Sequence, residues 1–265
     1  MPALSSRTLP LLPASVPTPG YDRRQVRVGI VHLGVGVFHR SHQAMYLDRL
    51  MERGEALDWG ICGVGVLPGD RRVAEVMREQ DCLYTLAVAR PDGTLDARVV
   101  GSVVEYLLAP DDPAAVVERM ADPAVRIVSL TVTEGGYNVD DVTGAFGATD
   151  PGVQADLVPG AAPRTVFGLV TEALVRRRER GVAPFTVMSC DNVPRNGEVA
   201  RRSFAAFAGL PSSATWRAEL SGLRFPNRNG DPAGVDKVAQ GLARITEHAN
   251  HAAVVIRRLR AFLRK

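Results

Sequence analysis

A glycine turn joins an apolar segment to a basic one near the start of the chain. Residues 26–42 read VRVGIVHLGVGVFHRSH, in which β-branched residues precede Gly34-Val35-Gly36 and a helical rhythm follows. A dinucleotide-binding site requires this arrangement, because bare backbone lets a pyrophosphate reach the N–H groups at a helix N-terminus. His39 occupies the position of the third glycine in the common fingerprint, so the turn taken alone could equally be a simple tight turn.

Four clusters of glycine and polar residues each follow an apolar segment that is typical of a buried strand. They are residues 34–42, 65–70, 133–137 and 189–197. Ligands of open α/β sheets bind beyond the carboxyl ends of the strands, so we expect these clusters to meet at one edge and form a site. The alternative is that they are only the turns at which strands end.

The apolar periodicity predicts an α/β fold with a mostly parallel, Rossmann-like sheet, helices on both of its faces, an inserted β-hairpin and a C-terminal amphipathic helix. After the first strand, further strands are predicted at residues 59–67, 83–89, 99–104, 125–132 and 185–189, and helices at 38–53, 71–80, 111–121 and 164–180. The hairpin is the pair 83–89 and 99–104, which flanks Pro91-Asp92-Gly93. Residues 138–163 are rich in Gly, Pro and Asp and predict a long surface loop.

Charge and cysteine content limit the classes of function. The chain of 265 residues carries a net charge of +3, with its Lys and Arg concentrated at 176–180, 195–202 and 257–265. Solvated basic helix faces produce such a count, so nucleic-acid binding is not expected. Three widely spaced cysteines without His partners at metal-ligand spacing predict a reduced, cytoplasmic protein with no structural metal.

The first twenty residues contain five prolines and lack the apolar core of a signal peptide. We expect residues 1–20 to form a flexible or surface-draped leader. No later apolar run approaches the length that crosses a membrane, so no membrane association is predicted.

Five motifs carry a resemblance to a known family: GVGVFHRSHQ at 34–43, WGICGVGVLPGD at 59–70, DCLYTL at 81–86, TVTEGGY at 131–137 and SCDNVPRNG at 189–197. In this order they resemble the N-terminal domain of the mannitol dehydrogenase family, the zinc-independent polyol dehydrogenases that include fructuronate and tagaturonate reductases. The resemblance covers roughly residues 20–227. It implies NAD-dependent hydride transfer between a polyol or sugar-acid alcohol and its keto sugar.

The resemblance also implies roles for single residues. Gly34, Gly36, Phe38 and Arg40 would lie along the cofactor phosphates, where glycines admit the backbone and the guanidinium can pair with phosphate. Phe38 could instead be a buried anchor of the first helical turn. His39, like the nearby histidine at position 42, is read as a local packing or hydrogen-bonding residue, because neither has an evident carboxylate partner.

Asp70 would bind the adenosine ribose and select NAD over NADP, although the adjoining Arg71 and Arg72 could accept a 2′-phosphate. NAD is therefore the expected cofactor.

The loop with Thr133, Glu134 and Gly135 would pass the ribose and nicotinamide, and Asn192 would lie beside the substrate. Asp191 and Asn196 could instead cap the helix that begins near residue 197.

The family's proton-transferring lysine belongs to a K-x-x-x-x-N-x-x-H motif that this sequence does not contain. The catalytic residue is therefore unknown, and we expect a chain truncated before the catalytic domain, in which mainly cofactor binding remains. The match to the family's interdomain signature stops after Phe225-Pro226-Asn227. This predicts a leader at 1–20, a Rossmann-like domain at 21–227 and a separate helix at 228–265.

Apolar residues in the last segment recur alternately three and four apart from 235 to 263, which predicts a helix that pairs with another helix. A homodimer or a helical partner through residues 235–263 is the expected consequence. Residues 231–265 also resemble a dimerisation helix of sensor histidine kinases, without that family's phosphoacceptor box. The rival hypothesis is a non-enzymatic helical interaction module on an α/β scaffold.

Overall fold

The computed structural model describes residues 3–89, 92–140 and 142–210. Its strands are β1 (Val28–Leu33), β2 (Gly60–Gly65), β3 (Tyr84–Ala89), β4 (Leu95–Val100), β5 (Val103–Leu108), β6 (Ile127–Leu130) and β7 (Thr186–Ser189). Its α-helices are α1 (Val37–Ser41), α2 (Gln43–Met51), α3 (Arg71–Glu79), α4 (Pro113–Ala121), α5 (Pro151–Asp156), α6 (Val166–Glu179) and α7 (Asn196–Ala208).

Five strands form one parallel sheet in the order β5-β2-β1-β6-β7. Counted along the chain, this is the 3-2-1-4-5 order of the Rossmann fold, so the direction of winding reverses between β1 and β6. β3 and β4 form a separate antiparallel pair. The predicted Rossmann-like class and the inserted hairpin are thus confirmed.

Alternate residues of the central strands face opposite sides of the sheet, as the two-residue period of a strand requires. Val31 and Val128 pack with α4, α6 and α7, whereas Ile30, Ile61 and Ile127 pack with α2, α3 and the hairpin. Both faces are therefore covered, which explains the continuous apolar runs of these strands. Within the described residues, the sheet is held between two apolar layers.

Three of the predicted elements are wrong in detail. The segment 99–104 is not one strand: β4 ends at Val100, and β5 begins at Val103 and joins the parallel sheet. The predicted helix 38–53 is divided at His42, whose φ of −123° and ψ of −86° lie outside the helical region. The predicted loop 138–163 contains α5, because Val153 is buried in the core on that side.

The first residues that the structure describes lie along the hairpin side of the domain. The amide of Ser6 donates to Asp81 (2.9 Å) and the carbonyl of Pro17 accepts from the amide of Val99 (2.8 Å). The interdomain motif at 225–227 and the predicted helix at 228–265 lie outside the described residues. Within the part described, no helix is both long and apolar enough to span a membrane.

Candidate functional site

The glycine turn after β1 lies where the sheet reverses its winding. Gly34 has a φ of +89°, a region that favours glycine, and a Cβ there would overlap the carbonyl oxygen of Thr131 at the end of β6. The amide of Gly36 donates to the carbonyl of Gly34 (2.8 Å), which closes a tight turn. A Cβ on Gly36 would meet nothing within 4 Å, so the space above this residue is open.

The first helical turn presents one unpaired cation beside this open space. Among the described residues, Arg40 makes no side-chain hydrogen bond or ion pair, while its carbonyl accepts from the hydroxyl of Tyr84 (2.5 Å). Burial raises the pKa of Tyr106, and the nearby charge of Arg40 opposes that shift. Phe38 is half-buried and stacks on His42, with 4.4 Å between ring centroids.

Asp70 folds back onto the end of β2. Its Oδ2 accepts hydrogen bonds from the amides of Val66 and Leu67, both at 2.9 Å, and within the described residues Oδ1 accepts none. Arg71 is held by Asp111 through a two-bond pair with one N···O distance of 2.9 Å. The carboxylate of Asp70 therefore keeps one oxygen for a ligand, whereas Arg71 is already engaged.

The loop after β6 begins with a strained residue. Thr133 has a φ of +64° and a ψ of 174°, a backbone region essentially confined to glycine, and such strain persists only where the surroundings impose it. The carboxylate of Asp191 supplies that constraint, since it accepts from the amides of Val132 (3.1 Å) and Thr133 (3.0 Å). The Tyr137 hydroxyl donates to the same carboxylate (2.7 Å).

Of the two residues that could cap α7, Asn196 contributes, because its Oδ1 accepts from the amide of Gly197 in the first helical turn (2.8 Å), whereas the carboxylate of Asp191 binds the β6 loop instead. The N-cap position of α7 is Arg195, whose side chain makes no capping hydrogen bond. Asp191 is drawn towards the β6 loop by two backbone amides, and burial raises its pKa while its hydrogen bonds oppose the shift. Asn196 donates to the carbonyls of Ser189 (2.9 Å) and Asp191 (3.1 Å). Asn192, half-buried, lies three residues beyond the end of β7.

A chain of buried polar groups lies beneath the glycine turn. His32 of β1 places Nδ1 2.7 Å from the hydroxyl of Ser129 and Nε2 2.8 Å from that of Thr131, and both hydroxyls belong to the segment of β6. The ring of His39 stacks on His32 with 3.6 Å between centroids and 12° between planes. Burial lowers the pKa of His32 to about 3 and lowers that of His39 as well, so both rings are neutral near pH 7.

A cavity of about 230 Å³ opens between the ends of β2 and β6. Its lining includes Val66 and Leu67 after β2, Gly135 and Gly136 after β6, and Phe167 of α6. Leu67 is 63% exposed. The cavity therefore offers both apolar and polar side chains beside the carboxyl edge of the sheet.

The four clusters predicted to meet do so, because the parallel strands β1, β2, β6 and β7 end at the same edge.

Sequence reasoning missed His32, Tyr106 and Tyr137. A polar residue inside an otherwise apolar strand was the visible signal for His32. In the described part of the chain, no group of three His, Cys, Asp or Glu side chains is arranged to hold a metal ion.

Comparison with known proteins extends these observations. The model of the family described as the mannitol dehydrogenase Rossmann domain matches residues 28–253. A polyol:NADP oxidoreductase of Gluconobacter oxydans is 48% identical over 228 residues, covering 84% of this chain and 46% of that protein. A mannitol 2-dehydrogenase of Cereibacter sphaeroides is 50% identical over 218 residues, covering 80% of this chain and 44% of that one.

Solved structures give the same result. The mannitol 2-dehydrogenase of Pseudomonas fluorescens, in a ternary complex with NAD and D-mannitol, superposes with a TM-score of 0.81 at 45% identity, over 85% of this chain and 46% of that one. A substrate-free D-sorbitol dehydrogenase gives a TM-score of 0.77 at 46% identity, with 84% and 46% covered. The chain thus spans about half the length of the relatives it matches.

Proposed function

The chain belongs to the mannitol dehydrogenase family, whose Rossmann-domain model matches most of it, and on that premise we propose that it binds NAD(H) at the carboxyl edge of its parallel sheet. The observation that carries the proposal is the glycine turn at the point where the winding reverses. Gly34 permits the close approach to β6, and Gly36 leaves open space above the backbone. This is the geometry that a pyrophosphate needs.

The charges around the turn support the same placement. Amides of a first helical turn have no partner within the helix, so the first amides of the short helix α1 would donate to phosphate oxygens. Arg40, without an ion pair among the described residues, would supply the compensating positive charge. Phe38, half-buried on the same turn, would cover an apolar edge of the cofactor.

The adenosine half would lie towards β2. In this proposal the open Oδ1 of Asp70 accepts hydrogen bonds from the ribose hydroxyls, and adenine occupies the cavity between Leu67 and Gly135. Thr133 and Glu134, exposed at the start of the β6 loop, would pass the ribose and nicotinamide.

We propose NAD as the preferred cofactor. A 2′-phosphate would bring negative charge next to Asp70, and the cation nearest to it in sequence, Arg71, is paired with Asp111. Arg72 is exposed and is the residue through which NADP could still be accepted.

The proposed substrate is a polyol or sugar acid, oxidised at a CH–OH group to the keto sugar. When bound, the nicotinamide accepts or supplies the hydride. Asn192, half-buried three residues beyond the end of β7, would orient substrate hydroxyls through an amide that both donates and accepts. The catalytic base is not identified, because the family's lysine motif does not occur in the sequence.

The proposal also covers the assembly of the protein and its cellular compartment. The heptad pattern of residues 235–263 favours a homodimer or a helical partner. The buried Cys62 and Cys82 are free thiols, which supports a reducing, cytoplasmic compartment.

Titration with NADH, followed by nicotinamide fluorescence or calorimetry, tests the proposal. The wild-type chain should bind NADH, and Gly36→Asp should abolish binding because it sets a carboxylate against the pyrophosphate. Far-UV circular dichroism on each sample checks that the fold is retained. A folded wild-type chain that does not bind NADH would refute the cofactor assignment.

A further inference from the structure

Hydrogen-bond donors and acceptors fix the direction of the polar chain beneath the glycine turn. The carbonyl of Gly34 can only accept, so the hydroxyl of Thr131 donates to it. The Thr131 oxygen must then accept from His32, which places the ring proton on Nε2. Nδ1 is left as an acceptor for the hydroxyl of Ser129, 2.7 Å away. The Nε2–H tautomer of His32 therefore satisfies the hydrogen bonds that run from Gly34 through Thr131 and His32 to Ser129.

The surroundings keep this ring neutral and in place. His32 is fully buried, and its face is covered by His39, which is itself 1% exposed. At the other end of this hydrogen-bond network, the side chain of Gln43 places its Nε2 3.4 Å from the Ser129 hydroxyl. Among the described residues, no charged side chain hydrogen-bonds to the ring of His32 or to the ring of His39.

The turn itself needs such a restraint. Because glycine tolerates many backbone conformations, the peptide plane that follows Gly34 could rotate, and the following amides would then point away from a phosphate. The Gly34 carbonyl accepts from the Gly36 amide within the turn and from the Thr131 hydroxyl outside it. The Gly34 amide ties the turn to β2 through the carbonyl of Val64 (2.9 Å), and the Thr131 hydroxyl ties the Gly34 carbonyl to the segment that follows β6.

We propose that His32 is a positioning residue for the cofactor: as the neutral Nε2–H tautomer it orients the Thr131 hydroxyl, which fixes the Gly34 carbonyl and thereby the turn that receives the pyrophosphate. The inference rests on the proposed binding of NAD(H). It also explains the departure from the common fingerprint, because His39 replaces the third glycine and closes the ring of His32 off from water.

Thr131 offers a matched pair of variants. Thr131→Val preserves shape and removes the hydroxyl, so it should weaken NADH binding about tenfold or more, as expected when a buried partner is lost. Thr131→Ser retains the hydroxyl and should bind NADH within about threefold of wild type. Melting temperatures of both variants establish that the comparison is made between folded proteins.

Nitrogen-15 NMR of the histidine rings tests the inference without any ligand. The ring signals that disappear in His32→Gln should report an Nε2–H tautomer that stays neutral from pH 8 down to about pH 5. An Nδ1–H tautomer would overturn the proposal. It would also be overturned if both Thr131 variants bind NADH as wild type does, or if both lose it equally. If the wild-type chain binds no NADH at all while the tautomer is as stated, the proposed function has failed instead.

Discussion

The two glycines of the turn should respond to the same substitution in opposite ways. Gly34→Ala places a methyl group at a φ of +89° and against the carbonyl oxygen of Thr131. Gly36→Ala places the same methyl group at a φ of −90°, with nothing within 4 Å. We therefore predict that alanine at 34 damages the fold, whereas alanine at 36 damages only cofactor binding.

The magnitudes follow from these two geometries. For Gly34→Ala, the left-handed backbone costs about 1–2 kcal/mol and relief of the overlap about 1–3 kcal/mol, so unfolding becomes about 2–5 kcal/mol easier. At about 2–4 °C per kcal/mol, the melting temperature should fall by about 4–20 °C. For Gly36→Ala the free energy of unfolding should change by less than about 0.5 kcal/mol. Its methyl group would occupy the space proposed for the pyrophosphate, and NADH should bind about tenfold more weakly.

Thermal unfolding monitored by circular dichroism measures the first effect, and fluorescence titration with NADH, well below the melting temperature, measures the second. A Gly34→Ala chain that melts within 2 °C of wild type, on the scale of about 2–4 °C per kcal/mol, would refute the strain argument. A Gly36→Ala chain that binds NADH as tightly as wild type would show that the open space above the turn is not the phosphate site.

Three other predictions concern specificity, chemistry and assembly. Asp70→Ala should weaken NADH relative to NADPH, since the carboxylate both attracts the ribose hydroxyls and repels an extra phosphate; an unchanged affinity ratio would show that the ribose lies elsewhere. The chain alone should show negligible NAD-dependent oxidation of mannitol, because a general base typically contributes about 10²–10⁴-fold and none is identified; robust turnover of purified material would point to a base in this sequence. Replacing Leu242 and Ile256 together with Asp should convert a dimer into a monomer without changing NADH affinity, and sedimentation of a wild-type chain that is already monomeric would rule this out.

The sequence predicted four of the five parallel strands, because β1, β2, β6 and β7 are each a short apolar run followed by glycine or polar residues, but it did not predict β5. The boundary between β4 and β5 was not predictable in this way. Gly101 and Ser102 separate these strands, and what holds the break is contact with distant residues: the Arg23 side chain donates to the carbonyls of Gly101 (2.9 Å) and Val103 (2.8 Å). The local sequence pattern does not indicate such a long-range contact.

The candidate site likewise combines features that local sequence signals predict with features that depend on distant residues. The glycine turn and the position of Asp70 follow from local signals, a strand end and its turn residues. The strained conformation of Thr133 does not, because the carboxylate that imposes it belongs to Asp191, 58 residues further along the chain. His32 likewise acquires its partners from β6, 97 and 99 residues away. Tertiary hydrogen bonds of this kind become visible only once the strands are in register.

Backbone amide NMR during titration with NADH tests the central claim most directly, because it reports where the ligand lies as well as whether it binds. The account predicts that the largest shifts fall on the amides of residues 34–38, 66–70 and 133–136, with little change on the hairpin β3–β4. Shifts that are absent at saturating NADH, or that concentrate away from the carboxyl edge of the sheet, would contradict it.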